Sequence, residues 1–472
     1  MAVEWSTSAA PVLFTLDRDD VVPLGSQLER QLRDAIRSGR LAARERIPST
    51  RALAAQLGVS RGLVQDCYSQ LLAEGYLVAQ TGSATRVADL PRTPRPAPAP
   101  APTSLPPLIV GFPSGVPDLG MVPRQDWVWA LREAARTMPD ALFDYGDPAG
   151  DPELRTVLAA YLRRVRAVDA QADDIVICAG FAQGIALVLA ALTAEGITVI
   201  VHEDPGSGAT IRAAARAAGG EAVPVSVDEE GIDAEALARS GVRAAVLTPA
   251  HQWPTGVALS PERRHRLLDW AERVDGFLIE DEYDAEFRYD REPVGSMQGL
   301  APDRVVSIGT VSKSLAPGLR LGWAVVPPRL RDAVIAAKNT MDRGNPALDQ
   351  RALALLMSSG RYDRHLRRMR SEYARRRDVL VSALRRHAPG VRVSGLAAGF
   401  HAVVHLPDDV DEQRFVDAAR ERGLGVGAMS HYSTTLTASR PRLILGFGDT
   451  PSEQIERGIG LLGALLREVP RS

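Results

Sequence analysis

From Pro91 to Pro107 the chain reads PRTPRPAPAPAPTSLPP. Proline carries no amide proton and fixes φ at about −65°, so such a run continues neither a helix nor a central strand. The segment reads as a linker, and not as a disordered tail, because a long globular pattern follows it. Alternating proline and small residues favour extended polyproline II at ~3.1 Å per residue, enough to separate two modules by roughly 50 Å. The sequence is read accordingly as a head over 12–90, a linker over 91–107, a large domain over 108–345 and a smaller C-terminal subdomain over 346–472.

The 472 residues offer ample chain for two or three cores. A hydrophobic content of 45% with 24% charged residues is ordinary for a soluble globular protein. No apolar run approaches the ~20 residues that span a bilayer. The opening MAVEWSTSAAPVLFTLDRDD lacks the basic start and apolar core of a signal peptide. No membrane partner and a cytoplasmic location follow as expectations. Cys67 and Cys178 fall in different segments without metal-ligand spacing, which argues against a disulfide framework or a zinc site and for two core residues.

The net charge of −2 conceals a basic stretch, since residues 23–88 hold nine arginines and five acidic residues. Within it, Leu28, Leu32 and Ile36 mark a helix ending near Gly39. Ser49 caps a second helix that carries Leu53 and Leu57 and stops at Gly58. Ser60 caps a third, with Val64, Tyr68, Leu71 and Leu72 on one face. A β-like stretch from Tyr76 to Val87 turns at Thr81–Gly82–Ser83. This order is that of a winged helix-turn-helix. With Val64, Tyr68 and Leu71 inward, Arg61, Gly62, Gln65 and Ser69 face out. Arg61 and Gln65 have donors to read base edges, and Ser60 with the helix N-terminal amides can meet a phosphate. Arg46 and Arg51 suit phosphate contacts that fix register. A solvated helix face would show the same pattern.

The stretch RIPSTRALAAQLGVSRGLVQDCYSQLLAEGYLVAQTGSATRV, residues 46–87, resembles the winged helix domains of the GntR family along its whole length. That family's elements stand here as Pro48–Arg51 and Gly58–Arg61, with Leu63 where threonine is common. The resemblance implies that Arg51 and Arg61 contact double-stranded operator DNA and that Gly82 tips a wing.

Beyond the linker, helical patterns alternate with β-rich runs at Ile175–Cys178, Thr198–His202, Ala244–Thr248, Phe277–Glu280, Val305–Ile308 and Leu321–Val326, which predicts a mostly parallel α/β sheet. An Arg-rich helix, His365–Arg377, and strands near 401–406 and 442–447 make up the α+β subdomain.

Of 56 basic residues only Lys313 and Lys338 are lysine. Arginine cannot form a Schiff base, so a surviving lysine poses a chemical question, although an ordinary surface charge is a standing answer. Lys313 sits in GTVSKSLAPGLRLGW after a strand, where Thr310, Ser312 and Arg320 offer hydroxyls and a fork suited to phosphate. An amine among phosphate binders fits pyridoxal phosphate, whose aldehyde takes an amine and whose ring draws electrons. Such a ring needs a carboxylate at its nitrogen. Asp281, ending FLIE in FLIEDEYDAEF, is the candidate, and Tyr283 would lie on the same side to donate to the ring hydroxyl. No histidine cluster accompanies these acids in sequence, so no metal is expected.

Residues 108–465 resemble fold-type I, class I aminotransferases. With TPAHQWPTG, EDEYDAEFRYD and GTVSKSLAPGLRLG following a GntR-like head, the chain looks like the MocR subfamily of regulators. The resemblance implies that Lys313 carries the cofactor, that Asp281, Tyr283 and Arg320 hold its ring and phosphate, and that the amides of Phe181, Ala182 and Gln183 cradle the phosphate. It further implies that His251 and Gln252 lie near the ring, and that Arg442, or Arg440 behind it, takes an effector carboxylate. Ser207 stands where that family usually stacks an aromatic residue; Phe181 or His251 is the expected substitute. The implied function is a homodimeric transcription regulator sensing an amine, an amino acid or the cofactor level. The rivals are an active aminotransferase carrying a DNA-binding domain, and a scaffold that has lost its cofactor.

Overall fold

A computed structural model describes residues 2–5, 12–79, 84–89, 107–284, 286–289, 295–435 and 440–468. The chain divides into two compact units, Met1–Thr103 and Ser104–Ser472. Most of the expected linker and Gly82 lie outside the described residues.

The head has helices Leu24–Arg37, Thr50–Leu57 and Arg61–Ala73, then the antiparallel pair Leu77–Val78 and Arg86–Val87. Its local signals act as expected. Ser49 Oγ accepts from the Ala52 amide and Ser60 Oγ from the Leu63 amide, both at 3.2 Å, and Gly58 takes φ 65° to end the second helix. Leu28, Leu32, Leu53, Val64 and Leu71 are fully buried together, with Cys67 and Tyr68 beside them. Leu63 packs on the edge of this core, which accounts for its apolar identity. A further antiparallel pair, Ala2–Trp5 with Val12–Thr15, precedes these elements.

The second unit is built on an eight-stranded sheet in the spatial order Ile175–Cys178, Gly322–Val325, Val305–Thr310, Phe277–Glu282, Ala244–Leu247, Val199–Asp204, Glu221–Asp228, Gly231–Ile232. Pairings are parallel except at Gly322–Val325 and the terminal Gly231–Ile232. Helices Phe181–Ala194, Gly208–Ala217 and Pro328–Met341 cover one face around Val188, Ile200 and Ile308. Ala234–Arg239 and Pro261–Arg273 contribute to a second core around Trp270 and Leu278. The last subdomain sets the four-stranded antiparallel sheet Val393–Ser394, His401–His405, Arg442–Gly446, Gly427–Ala428 against the 27-residue helix Arg361–His387 and Ser452–Glu468.

Two differences from the sequence reading have physical causes. Val110–Gly111 pairs in parallel with Leu424–Gly425, so the residues that follow the linker are stitched into the C-terminal subdomain, not into the large sheet. Strand Glu221–Asp228 contains Pro224, which a central strand would refuse. It is tolerated because the outer neighbour pairs only at Val227 and Asp228. Among the described residues no helix is long and apolar enough to cross a membrane.

Gly309 shows how tightly the strand before Lys313 is held. It pairs with Trp323, and a Cβ on it would stand 2.5 Å from the indole ring. Only a bare backbone fits there.

Candidate cofactor site and nucleic-acid interface

In open α/β sheets, ligands collect where parallel strands end. Asp281 lies near the end of Phe277–Glu282, Thr310 closes Val305–Thr310, and Lys313 follows three residues later. These residues line a cavity of about 280 Å³ together with Tyr283, Ser312, Arg320, Phe181, Ala182, Ser207, Thr210, Trp253 and Gly115. Wider concavities elsewhere, such as the one walled by 142–152 and 342–350, contain none of this set.

Lys313 Nζ donates to the Gly115 carbonyl at 2.5 Å. Burial lowers its pKa below the ordinary lysine value, opposed by the nearby Asp281 and Asp284 carboxylates. Asp281 is buried, and its Oδ1 has no hydrogen-bond partner among the described residues. Burial raises its pKa well above the carboxylate range, with Lys313 pulling the other way. An orphaned acceptor in a lined cavity is what a protonated ring nitrogen would satisfy. Tyr283 is held protonated by burial and by the Asp284 and Asp281 carboxylates.

At the other end of the cavity the Thr310 hydroxyl lies 2.8 Å from Ser312 Oγ and accepts from the Ser312 amide at 3.1 Å. The Arg320 guanidinium donates to the Ala179 carbonyl. Gly180, at φ +86°, precedes helix Phe181–Ala194, and a Cβ there would meet both Arg320 Nη2 and Thr310 Oγ1 at 3.4 Å. Guanidinium, hydroxyls and a helix N-terminus thus converge on one point around a side-chain-free backbone, the donor set an anion needs. The residues present fit pyridoxal phosphate at both its phosphate and its ring nitrogen.

Several expectations are corrected. Lys338 is fully buried and donates to Asp342 and Asn345 at 2.7 Å and to Gln183 at 3.1 Å, a structural role away from the cavity. The Gln183 side chain is taken up by that network and by the Ala179 amide, while its backbone amide, the group expected to meet the phosphate, stands in the first turn of helix Phe181–Ala194. Gln252 is also scaffolding. Its Nε2 faces Glu203, Pro205 and Trp253 oxygens. His251 is absent from the cavity lining and is bonded to Asp284 behind it, so of the two expected stand-ins for a stacking aromatic only Phe181 lines the space with Ser207. Trp253, unforeseen, lines it too. Its ring stands edge-on to His401, Tyr432 and Tyr283 at centroid distances of 5.0, 5.4 and 5.9 Å.

Arg442 and Arg440 are not at the cavity. Arg442 starts its strand opposite His405, whereas the far end, at Gly446, meets the Pro113–Ser114 backbone that leads to Gly115. Four strand residues, about 13 Å, separate the two ends. Burial lowers the Arg442 pKa, and its Nε has no partner among the described residues. Arg440 is exposed, 3.6 Å from Asp408. Sequence could not show which end of the strand faces the crevice.

Folding also supplies the histidines that the sequence lacked beside the acids: His251, Asp284 and His401 bring ligand-type atoms within 4.8 Å of one another. Both cysteines are unpaired and buried, with thiols pushed up to about 12 by burial.

Glu203, whose charge acts on Asp281 and Tyr283, is buried, its Oε2 accepting from Thr248 Oγ1 at 2.5 Å and from the Thr248 amide and Gln252 Nε2 at 3.1 Å. Burial nonetheless raises its pKa from 4.5 to about 7. A folded pKa above the unfolded one means that its stabilising, protonated form is complete below about 4.5 and lost as pH rises through about 7. All three donors use one oxygen, which glutamine retains. Glu203→Gln is therefore expected to match the parent near pH 5 and exceed it by up to about 3 kcal/mol at pH 8. Denaturant melts at both pH values check this; equal differences at the two would refute it.

In the head, Arg46, Arg51, Ser60, Arg61 and Gln65 are all exposed. Arg61 and Gln65 are one turn apart on the third helix. Arg46, Arg51 and Arg61 have no ion-pair partner among the described residues, which leaves their charge for an outside anion.

Residues 24–87 match the bacterial regulatory proteins of the gntR family, and residues 109–460 match aminotransferase class I and II. The probable rhizopine catabolism regulatory protein MocR of Rhizobium meliloti is 34% identical over 95% of this chain and 95% of its own length. The pyridoxine biosynthesis transcriptional regulator PdxR of Corynebacterium glutamicum is 31% identical over 93% of this chain and 95% of its own. Among solved structures, the kynurenine aminotransferase of Pyrococcus horikoshii, in complex with PMP, superposes with a TM-score of 0.70 at 25% identity, over 78% of this chain and 93% of its own.

Proposed function

The chain belongs to the GntR-family transcription regulators of MocR type, a DNA-binding winged helix joined to an aminotransferase class I and II domain, and from that premise we propose that it holds pyridoxal phosphate at Lys313 and senses a small amine, an amino acid or the cofactor itself. The observation that carries the reading is the partnerless Asp281 oxygen in a cavity that also contains one of only two lysines.

When bound, the cofactor supplies an aldehyde that primary amines can capture and a ring that withdraws electrons. The chain's residues divide the remaining work. Arg320, Thr310, Ser312 and the first amides of helix Phe181–Ala194 hold the phosphate. Asp281 keeps a proton at the ring nitrogen, Tyr283 donates to the ring hydroxyl, and Trp253 with Phe181 excludes water. Lys313, with its lowered pKa, has a larger neutral and reactive fraction than an exposed lysine. An incoming amine competes with it for the aldehyde, which makes occupancy selective. The difference in how two arrangements of the protein bind that amine would set operator affinity. A homodimer is part of this reading. Exposed Phe143, Tyr145 and Met341 on the second unit are apolar surface available for a second copy.

Borohydride reduction of the protein loaded with pyridoxal phosphate, followed by peptide mapping, tests the assignment: the pyridoxyl group is expected on the Lys313 peptide. Titration with candidate amines should then change both the visible spectrum and operator affinity without turnover. Repeated conversion to pyridoxamine phosphate in the presence of an oxo acid would favour the active-aminotransferase reading instead.

A further inference from the structure

We propose that His251, paired with Asp284, is a positioning residue that turns the phenolic proton of Tyr283 toward the cavity. This inference rests on the cofactor reading above, because Tyr283 is the ring-hydroxyl donor in it.

One nitrogen of His251 faces two oxygens. Nδ1 lies 2.7 Å from Asp284 Oδ2 and 3.1 Å from the Tyr283 hydroxyl. A ring nitrogen carries either one proton or one lone pair, so it cannot donate to the carboxylate and accept from the phenol together. The carboxylate contact is the shorter and lies in the range of charge-assisted bonds, which puts the proton on Nδ1. Asp284 also lies within hydrogen-bonding reach of the phenol, but its Oδ2 is engaged by His251 Nδ1 at 2.7 Å, so the Tyr283 oxygen accepts a share of the Nδ1 proton and its own proton is left for the cavity. Tyr283 lines the cavity and is kept protonated, so a ring oxygen placed there receives a preset donor.

The pair is clamped from several sides. The His401 ring lies 4.8 Å from that of His251, with its Nε2 3.2 Å from the Pro254 carbonyl. Burial and His251 hold His401 neutral. A Cβ on Gly399, at φ +67°, would stand 2.3 Å from Asp284 Oδ2 and 2.7 Å from His251 Cε1, so bare backbone of the C-terminal subdomain closes over both. Gly256 and Gly395 approach the other ring edge, with the Gly395 carbonyl 3.4 Å from Nε2. Asp281, Asp284, Glu203 and His251 are the titratable groups that act on Tyr283, with Lys313 beside Asp281. A metal would spread its ligands further apart; 2.7 Å between Nδ1 and Oδ2 is hydrogen-bond spacing.

The readout is the pH midpoint of the visible absorbance of the full-length protein loaded with pyridoxal phosphate. A donor to an ionised ring oxygen lowers that midpoint, and losing it is expected to raise the midpoint by about one unit or more. His251→Leu and Tyr283→Phe should each produce this rise, while the double variant rises no further than Tyr283→Phe alone. His251→Asn, which can place an amide N–H where Nδ1–H stood, should restore the parent midpoint within a few tenths. His251→Gln serves in place of the leucine variant if that one fails to fold, as judged by circular dichroism, and should also raise the midpoint. Additive shifts, or an unchanged midpoint in a folded His251 variant, overturn the proposal. So does a stoichiometric metal ion in the purified protein. A parent protein with no visible band at any pyridoxal phosphate concentration fails differently, because it removes the cofactor reading and this inference with it.

Discussion

Lys313→Ala is expected to abolish the visible absorbance of the protein loaded with pyridoxal phosphate and to weaken retention of the cofactor by about a hundredfold or more, about 3 kcal/mol. No second lysine can substitute. Lys338 is enclosed by Asp342, Asn345 and Gln183, and every other cationic side chain except the histidines is arginine. What remains is the phosphate cradle around Gly180, which binds without a covalent link. Among the described residues Lys313 donates to the Gly115 carbonyl and forms no salt bridge, so the fold should survive its removal. Non-specific DNA binding should be unchanged, since Lys313 and the head belong to different units. Absorbance, equilibrium dialysis and gel shifts check the three parts. An unchanged spectrum would mean that another group captures the aldehyde.

The second large effect belongs to the head. Arg51→Ala combined with Arg61→Ala is expected to reduce operator affinity by about 10²–10³-fold, taking ~1–3 kcal/mol for each lost contact. The slope of log affinity against log salt should also become shallower by about 0.9 for each phosphate contact removed. Stability should scarcely change. Both side chains are exposed, and the caps of their helices come from Ser49 and Ser60, which the substitutions leave in place. Fluorescence anisotropy at two salt concentrations, with a thermal melt as control, decides the matter. If affinity persisted in a folded variant, the recognition face would have to be sought elsewhere.

The parts of the molecule that could be read in advance are those governed by neighbours in sequence. Ser49, Gly58 and Ser60 fix helix ends through contacts within three or four residues, and the structure uses each of them so. Apolar runs such as Ile175–Cys178 are buried at every position, so their composition alone marks them as strands. Lys313 stood out because arginine had replaced almost every other cation. Contacts between distant segments were invisible. Trp253 reaches the cavity only because His401, Tyr432 and Tyr283, from three other segments, hold its ring. His251 was drawn toward the ring by analogy, yet its partner is Asp284, 33 residues on. Arg442 was chosen by residue type, although the register of its strand puts it at the end remote from Gly115. The long helix Arg361–His387 was foreseen only over 365–377, since its arginines are as numerous as the apolar residues that would reveal a period.

The parallel pairing of Val110–Gly111 with Leu424–Gly425 decides what the proline-rich tether is tied to. Its rope end is knotted to the smaller, C-terminal lobe, the same lobe whose Gly395, Gly399 and His401 press on His251. Any tilt of that lobe that loosens its grip on the histidine therefore also carries the strand Val110–Gly111 with it.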